Sequence, residues 1–315
     1  MKKSFDVEIK PIKTSKDKIK QPELARKENG MLIPPLGSSV IISGKSGSGK
    51  STLLANLLLD KRFYKGWFDK IFLFSPTADG DDIQKSLNIP AQRVFTDLDE
   101  APELLGTIIE SQKKAIAAKS ADKVKQYAII FDDVIGDTKF MNSKTFAQCF
   151  YQVRHVCCTT FICTQHFKRV PRVCRLQANF IFYFRGSQSE LQTLVEEFSP
   201  PGMSKDAFAE QVVFRATSED YSFLTINMKV PWAQRFRRNL GEPIDVETPG
   251  DFFSAPRSEE EKEKERVNPQ PYAADTRGKQ AAWGGAANPP QQAFAGAGKR
   301  FDGGFGGAGR RGGLR

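Results

Sequence analysis

The chain has 315 residues, 39% of them hydrophobic, enough to bury the core of one sizeable α/β domain with flexible ends. Its formal charge is +10, but residues 1–27 carry +5 and residues 277–315 carry +6, which leaves the body between them near neutral at −1. A body-wide basic surface is therefore excluded, and any contact with nucleic acid must come from local clusters or from the two ends.

The first thirty residues hold Lys2, Lys3, Lys10 and Lys13 but no unbroken apolar stretch of signal-peptide type, and no later run reaches eighteen apolar residues. The expectation is a protein that is not secreted and has no membrane segment. Cys149, Cys157, Cys158, Cys163 and Cys174 lie in apolar surroundings and suit reduced thiols. A zinc site drawn from Cys157, Cys163, Cys174, His155 or His166 matches no paired ligand spacing.

Residues 1–35 read as a basic, disordered lead-in ending near Pro34 and Pro35. Residues 36–247 read as one nucleotide-binding domain. Ser39 to Ser43 is a β-branched strand, a Gly-rich turn follows, and Ser51 to Leu59 is a helix. Lys70 to Phe74 is a strand closed by Ser75 and Pro76, Arg93 to Thr96 is a short one, and Ala101 to Lys119 is helical. Tyr127 to Phe131 is a strand, Asn142 to Gln152 a helix, Val156 to Thr164 a buried strand and Asn179 to Phe184 another. Ser189 to Phe198 and Ser204 to Val213 read as helices, and Tyr221 to Asn227 as the last strand. Alternation of this kind predicts a mostly parallel sheet flanked by helices. Residues 248–315 turn to Gly, Ala, Pro, Gln and Arg, with Phe294, Phe301 and Phe305 among glycines, and read as a disordered RGG-like tail.

Gly44-Lys45-Ser46-Gly47-Ser48-Gly49-Lys50-Ser51 satisfies G-x-x-x-x-G-K-[ST], and Thr52 adds a second hydroxyl. Glycines let successive backbone N–H groups turn inward on phosphate oxygens, and the following helix presents its positive dipole end. Lys50 is expected to reach the β- and γ-phosphates of ATP, and Ser51 to ligate Mg2+. Such a site needs a carboxylate at the end of a neighbouring strand, which Asp132 supplies as the magnesium partner through water. Asp133 stands where a carboxylate orients or deprotonates an attacking water. Gln165 ends a strand at the same edge, as a sensor of the γ-phosphate or simply as a polar strand end. Arg154 precedes that strand, as a finger for a neighbouring subunit or as a cation on a helix dipole.

Taken together, the GKSGSGKST loop, the IIFDDV strand, VRHV at Val153 to Val156, FICTQ at Phe161 to Gln165 and the segment from Val170 to Arg185 resemble a known family. It is that of the poxvirus-type genome-packaging ATPases of large DNA viruses and virophages, within the FtsK/HerA superfamily of RecA-like P-loop NTPases. The resemblance spans roughly Ser38 to Phe184. It implies a homo-oligomeric ring that hydrolyses ATP and drives double-stranded DNA into a preformed capsid, with a capsid or portal-vertex protein as partner, in host cytoplasm or nucleus. It also implies Gln165 as the polar sensor and Arg154 as the finger, with Arg175 as the competing arginine. Asp133 departs from the superfamily, where Glu is common at this place. Lys168, Arg169 and Arg172, and Arg235, Arg237 and Arg238, are candidate DNA contacts. Alternatives are a non-packaging FtsK/HerA-type translocase or helicase, a P-loop small-molecule kinase, and a nucleic-acid-binding adaptor with a structural nucleotide site.

Overall fold

In the computed structural model, residues 14–77 and 82–246 are described, and all of them belong to the first of two units, Met1–Phe252. The tail expected over 248–315, and the first part of the lead-in, lie outside the described residues. In chain order the elements are β1 (Ser39–Ser43), α1 (Lys50–Leu59), β2 (Lys70–Phe74), α2 (Asp82–Leu87), β3 (Val94–Phe95) and α3 (Ala101–Lys119). Then come β4 (Tyr127–Asp132), α4 (Thr138–Met141), α5 (Lys144–Tyr151), β5 (Cys158–Thr164), α6 (Arg172–Gln177) and β6 (Phe180–Phe184). The last are α7 (Gln188–Phe198), α8 (Lys205–Phe208), β7 (Phe223–Asn227), β8 (Phe236–Arg238) and β9 (Glu242–Pro243).

The strands form a single sheet in the order β3-β2-β4-β5-β1-β6-β7-β8-β9. From β3 to β6 all pairings are parallel, while β7, β8 and β9 add antiparallel pairs at one side. Strands buried on both faces need apolar residues at every position, and β1, with Val40, Ile41 and Ile42, shows the pattern. Successive side chains go to opposite faces. Val40, Ile42, Ala128, Ile130, Phe161 and Cys163 pack with Leu54, Leu57 and Leu58 of α1. Ile41, Ile129, Phe131 and Ile162 pack on the other face with α3, α5 and α7.

Several boundaries move for local reasons. The helix expected from Asn142 starts at Lys144, because Ser143 caps it by accepting from the Phe146 N–H. The strand expected from Val156 starts at Cys158, because Val153–His155 forms a 3-10 turn and Cys157 sits at φ 49. The helix expected over Ser204 to Val213 divides into the short α8 and a π-helical turn, Ala209–Phe214. β8 and β9 are strands the sequence reading did not include.

The second half of the lead-in is packed, not disordered. Ala25, Met31, Ile33 and Leu36 are buried in the core on the α1 face, where apolar residues between the lysines find a cover. Leu36 donates its backbone N–H to Gln21 Oε1 at 2.7 Å, Asn227 Nδ2 donates to the Met31 carbonyl at 3.2 Å, and the buried Tyr64 hydroxyl donates to the Pro34 carbonyl. Among the described residues no helix is long and apolar enough to cross a membrane.

Candidate functional site: a phosphate loop facing two aspartates

Strand order decides what can meet at the C-terminal edge of the parallel strands. β5 lies between β1 and β4, so the loop after β1 and the acidic pair after β4 flank the end of β5. The loop is fastened there by the Gly44 N–H, which donates to the Thr164 carbonyl at 3.1 Å. Gly44 tolerates no side chain. A Cβ on it would lie 2.5 Å from Phe184 Cβ and 2.6 Å from Ser48 Oγ. Gly49 takes φ 99 and caps α1, a conformation that L side chains rarely adopt. Ser48 Oγ is buried and has no hydrogen-bond partner among the described residues.

Lys50 begins α1 and donates from Nζ to the Lys45 carbonyl at 2.8 Å, which folds the side chain back over its own loop. Burial lowers its pKa from the ordinary lysine value, and Asp133 and Asp132 pull in the opposite direction. Asp132 is the last residue of β4 and shares a side with Ala128 and Ile130, the side that carries α1. Asp133 then turns the chain through the left-handed region, at φ 49 and ψ 27. Its Oδ2 accepts from Gln165 Nε2 at 2.8 Å.

Ser46, Gly47, Lys50, Ser51, Thr77, Asp132, Asp133 and Gln165 line one open cleft of about 400 Å³. That volume lies in the range of small-molecule sites. A hydroxyl and two carboxylates form a hard oxygen donor set, which fits magnesium, and the ammonium with the loop amides fits phosphate. Thr77, three residues past the end of β2, escaped the sequence reading. Its Oγ1 lies 3.3 Å from Ser75 Oγ, and its only sequence signal is a hydroxyl just beyond a strand end.

Thr52 is an exposed residue in the first turn of α1 and does not line the cleft. Arg154 is not in the cleft either. It belongs to the turn before β5 and packs beside Gly37, which precedes β1: a Cβ on Gly37 would lie 3.3 Å from Arg154 Cα. That is the N-terminal edge of the parallel strands, opposite the loop. Arg154 is exposed and, among the described residues, makes no ion pair.

The structure gives Arg175 a structural place. Its Nε and Nη2 bind both oxygens of Glu197, at 2.7 and 2.6 Å, and Nη1 donates to the carbonyls of Lys168 and Val170. Four of its five N–H donors are thus committed within its own subunit, and the side chain is buried. Arg235 stacks 3.6 Å over Trp232, Arg237 donates to the Gly30 carbonyl, and Arg238 pairs with Glu219 at 2.5 Å. Arg172 lies 3.4 Å from Glu197. Lys168 and Arg169 are exposed on the edge that carries the cleft.

The family model described as Poxvirus A32 protein matches residues 37–237, which include the loop, the acidic pair, Arg154 and Gln165. An uncharacterized protein, 075L, of Invertebrate iridescent virus 6 is 28% identical over 149 residues, 47% of this chain and 55% of the relative. The chain thus spans about half the length of that curated relative. Among solved structures, B204, the DNA-packaging ATPase from Sulfolobus turreted icosahedral virus, is similar at 15% identity with a TM-score of 0.45, over 66% of this chain and 98% of that one. EssC (ATPases 2 and 3) from Geobacillus thermodenitrificans is similar at 12% identity with a TM-score of 0.47, over 67% of this chain and 40% of that one.

Proposed function

The chain belongs to the poxvirus A32 protein family, and from that premise we propose that it is an ATP-hydrolysing motor that drives double-stranded DNA into a preformed viral capsid. One observation carries the chemistry: a single cleft holds Lys50, Ser51, Asp132, Asp133 and Gln165. In this reading the amides of residues 44–51 and the Lys50 ammonium bind the phosphates of ATP. Ser51 and Asp132 hold Mg2+, which neutralises charge on the phosphates when bound. Asp133 takes a proton from the attacking water and Gln165 fixes the carboxylate that does so. Hydrolysis drives conformational change in a homo-oligomeric ring.

Arg154 supports the ring. It sits at the edge opposite its own cleft, so it reaches a phosphate only in a neighbouring subunit, as a head-to-tail interface would allow. Lys168 and Arg169, exposed on the cleft edge, are candidate contacts to DNA phosphates, which need no base reading. The capsid partner and the site of action, host cytoplasm or nucleus, belong to the same proposal.

The experiment is ATP turnover by the full chain with and without double-stranded DNA. We expect DNA to stimulate turnover and rising salt to remove the stimulation steeply. Lys50→Ala abolishes turnover while the protein stays folded. Arg154→Ala keeps ATP binding and loses turnover, and mixing it with Lys50→Ala restores part of the activity, because one interface then receives a sound loop and a sound arginine. Turnover that ignores DNA, with phosphate passed to a small acceptor, would overturn the motor in favour of a kinase.

A further inference from the structure

Tyr221 is 71% exposed, the most exposed of the large hydrophobic side chains among the described residues, yet its backbone is held at φ 62. A bulky residue in the left-handed region is strained, and such strain persists only where the surroundings enforce it. Here they do. The Ser222 N–H and Oγ both donate to the Glu219 carbonyl, at 3.2 and 2.6 Å, Ser222 Oγ accepts from the Glu219 N–H, and Glu219 is held by Arg238. A ring so exposed adds little to the core, so the strain serves no packing need.

The ring lies against the phosphate loop. A Cβ built on Gly49 would stand 3.4 Å from Tyr221 Cδ1 and 3.6 Å from Phe184 Cε1. β7 runs antiparallel to β6, so the residues just before it return to the edge where the loop lies. Strand order then gives the site a direction. The acidic pair ends β4 on one side of β1, whereas Phe184 ends β6 and Tyr221 precedes β7 on the other side. A triphosphate whose terminal group faces Asp132, Asp133 and Lys50 extends past the first turn of α1, and its sugar and base emerge on the Tyr221 side.

We propose that Tyr221 is the stacking platform for the base of the bound nucleotide. The inference rests on the nucleotide reading above and adds the base subsite to it. Stacking uses the face of a base and not its hydrogen-bonding edge, so the platform accepts adenine and guanine alike.

The test is calorimetric titration of the full chain with ATP, GTP and inorganic tripolyphosphate, in the wild type, Tyr221→Gly and Tyr221→Phe. Glycine suits the left-handed backbone, so its variant keeps the fold. We expect Tyr221→Gly to bind ATP and GTP about tenfold more weakly and tripolyphosphate unchanged, and Tyr221→Phe to behave as wild type. Undiminished ATP affinity in Tyr221→Gly overturns the platform and leaves the phosphate site standing. An equal loss for tripolyphosphate also overturns it, since the ring would then be supporting the loop. Binding of neither ligand by the wild type overturns the nucleotide reading itself, and the platform with it.

Discussion

Gln165 donates from Nε2 to Asp133 Oδ2 at 2.8 Å, tying the end of β5 to the turn after β4. Register makes this possible. Asp132 lies opposite Cys163, so the residues just past the two strand ends come side by side, and the left-handed turn at Asp133 aims its carboxylate across the gap. A carboxylate held by an amide keeps one orientation, which is what a group that receives a water proton requires.

The first expectation concerns that bond. Gln165→Leu keeps the volume and removes the donor. ATP affinity and thermal midpoint stay at wild-type values, while turnover falls about 10²-fold, as for a misplaced proton acceptor. Asp133→Asn falls at least as far. Single-turnover rates beside equilibrium binding check this, and a Gln165→Leu protein that turns over normally would deny the bond any part in hydrolysis.

A second expectation follows from Arg175 and Glu197, whose side chains are both 8% exposed. The pair is bidentate, the remaining guanidinium nitrogen serves two carbonyls, and the cation lies over the Phe167 ring at 5.6 Å. Removing the arginine leaves two carbonyls unpaired and the buried carboxylate with only the exposed Arg172, at 3.4 Å. Arg175→Ala is expected to cost about 3–5 kcal/mol of stability, and Arg175→Lys a large part of that, because an ammonium cannot copy the fork. Urea unfolding midpoints measure it. A stable Arg175→Ala protein with selective loss of turnover would restore Arg175 as a candidate finger.

The loop and the acidic pair were legible because each is a local signal. Glycine spacing encodes the backbone of the loop, and an apolar run ending in Asp132 and Asp133 encodes a strand with acids at its tip. What joins them is strand order, which no local pattern carries. Thr77 was missed for that reason: its hydroxyl matters only because β2 lies beside β4. β8 reads Phe-Arg-Arg, which looks like a charge cluster until Arg237 and Arg238 are seen docked on Gly30 and Glu219. Tyr221 read as the opening of a strand, whereas the strand begins at Phe223 and the tyrosine turns onto the loop. Arg175 read as the competing candidate for the finger, since the carboxylate that claims it lies on α7, 22 residues away in the chain.

The last expectation is loss of stability at high pH. Burial pushes the Cys158 and Cys174 thiols up to about 12 from an ordinary value of 9, and raises Cys149 well above it. A raised value means that the folded protein keeps protons which the unfolded chain releases. The resulting stabilisation is complete below pH 9 and is lost as pH climbs toward 12, at up to about 1.4 kcal/mol per pH unit for each thiol. Against a total of about 5–15 kcal/mol for a typical domain, losses of this kind at buried thiols are a large fraction of the stability. We therefore expect the urea midpoint to hold steady from pH 7 to 8.5 and to fall steeply beyond pH 9.5. Over the same range a thiol reagent should modify these cysteines only in urea. Rapid labelling of the native protein at pH 8, with a midpoint indifferent to alkali, would show that these sulfurs meet solvent and that the sheet is less tightly covered by α5 and α6 than described.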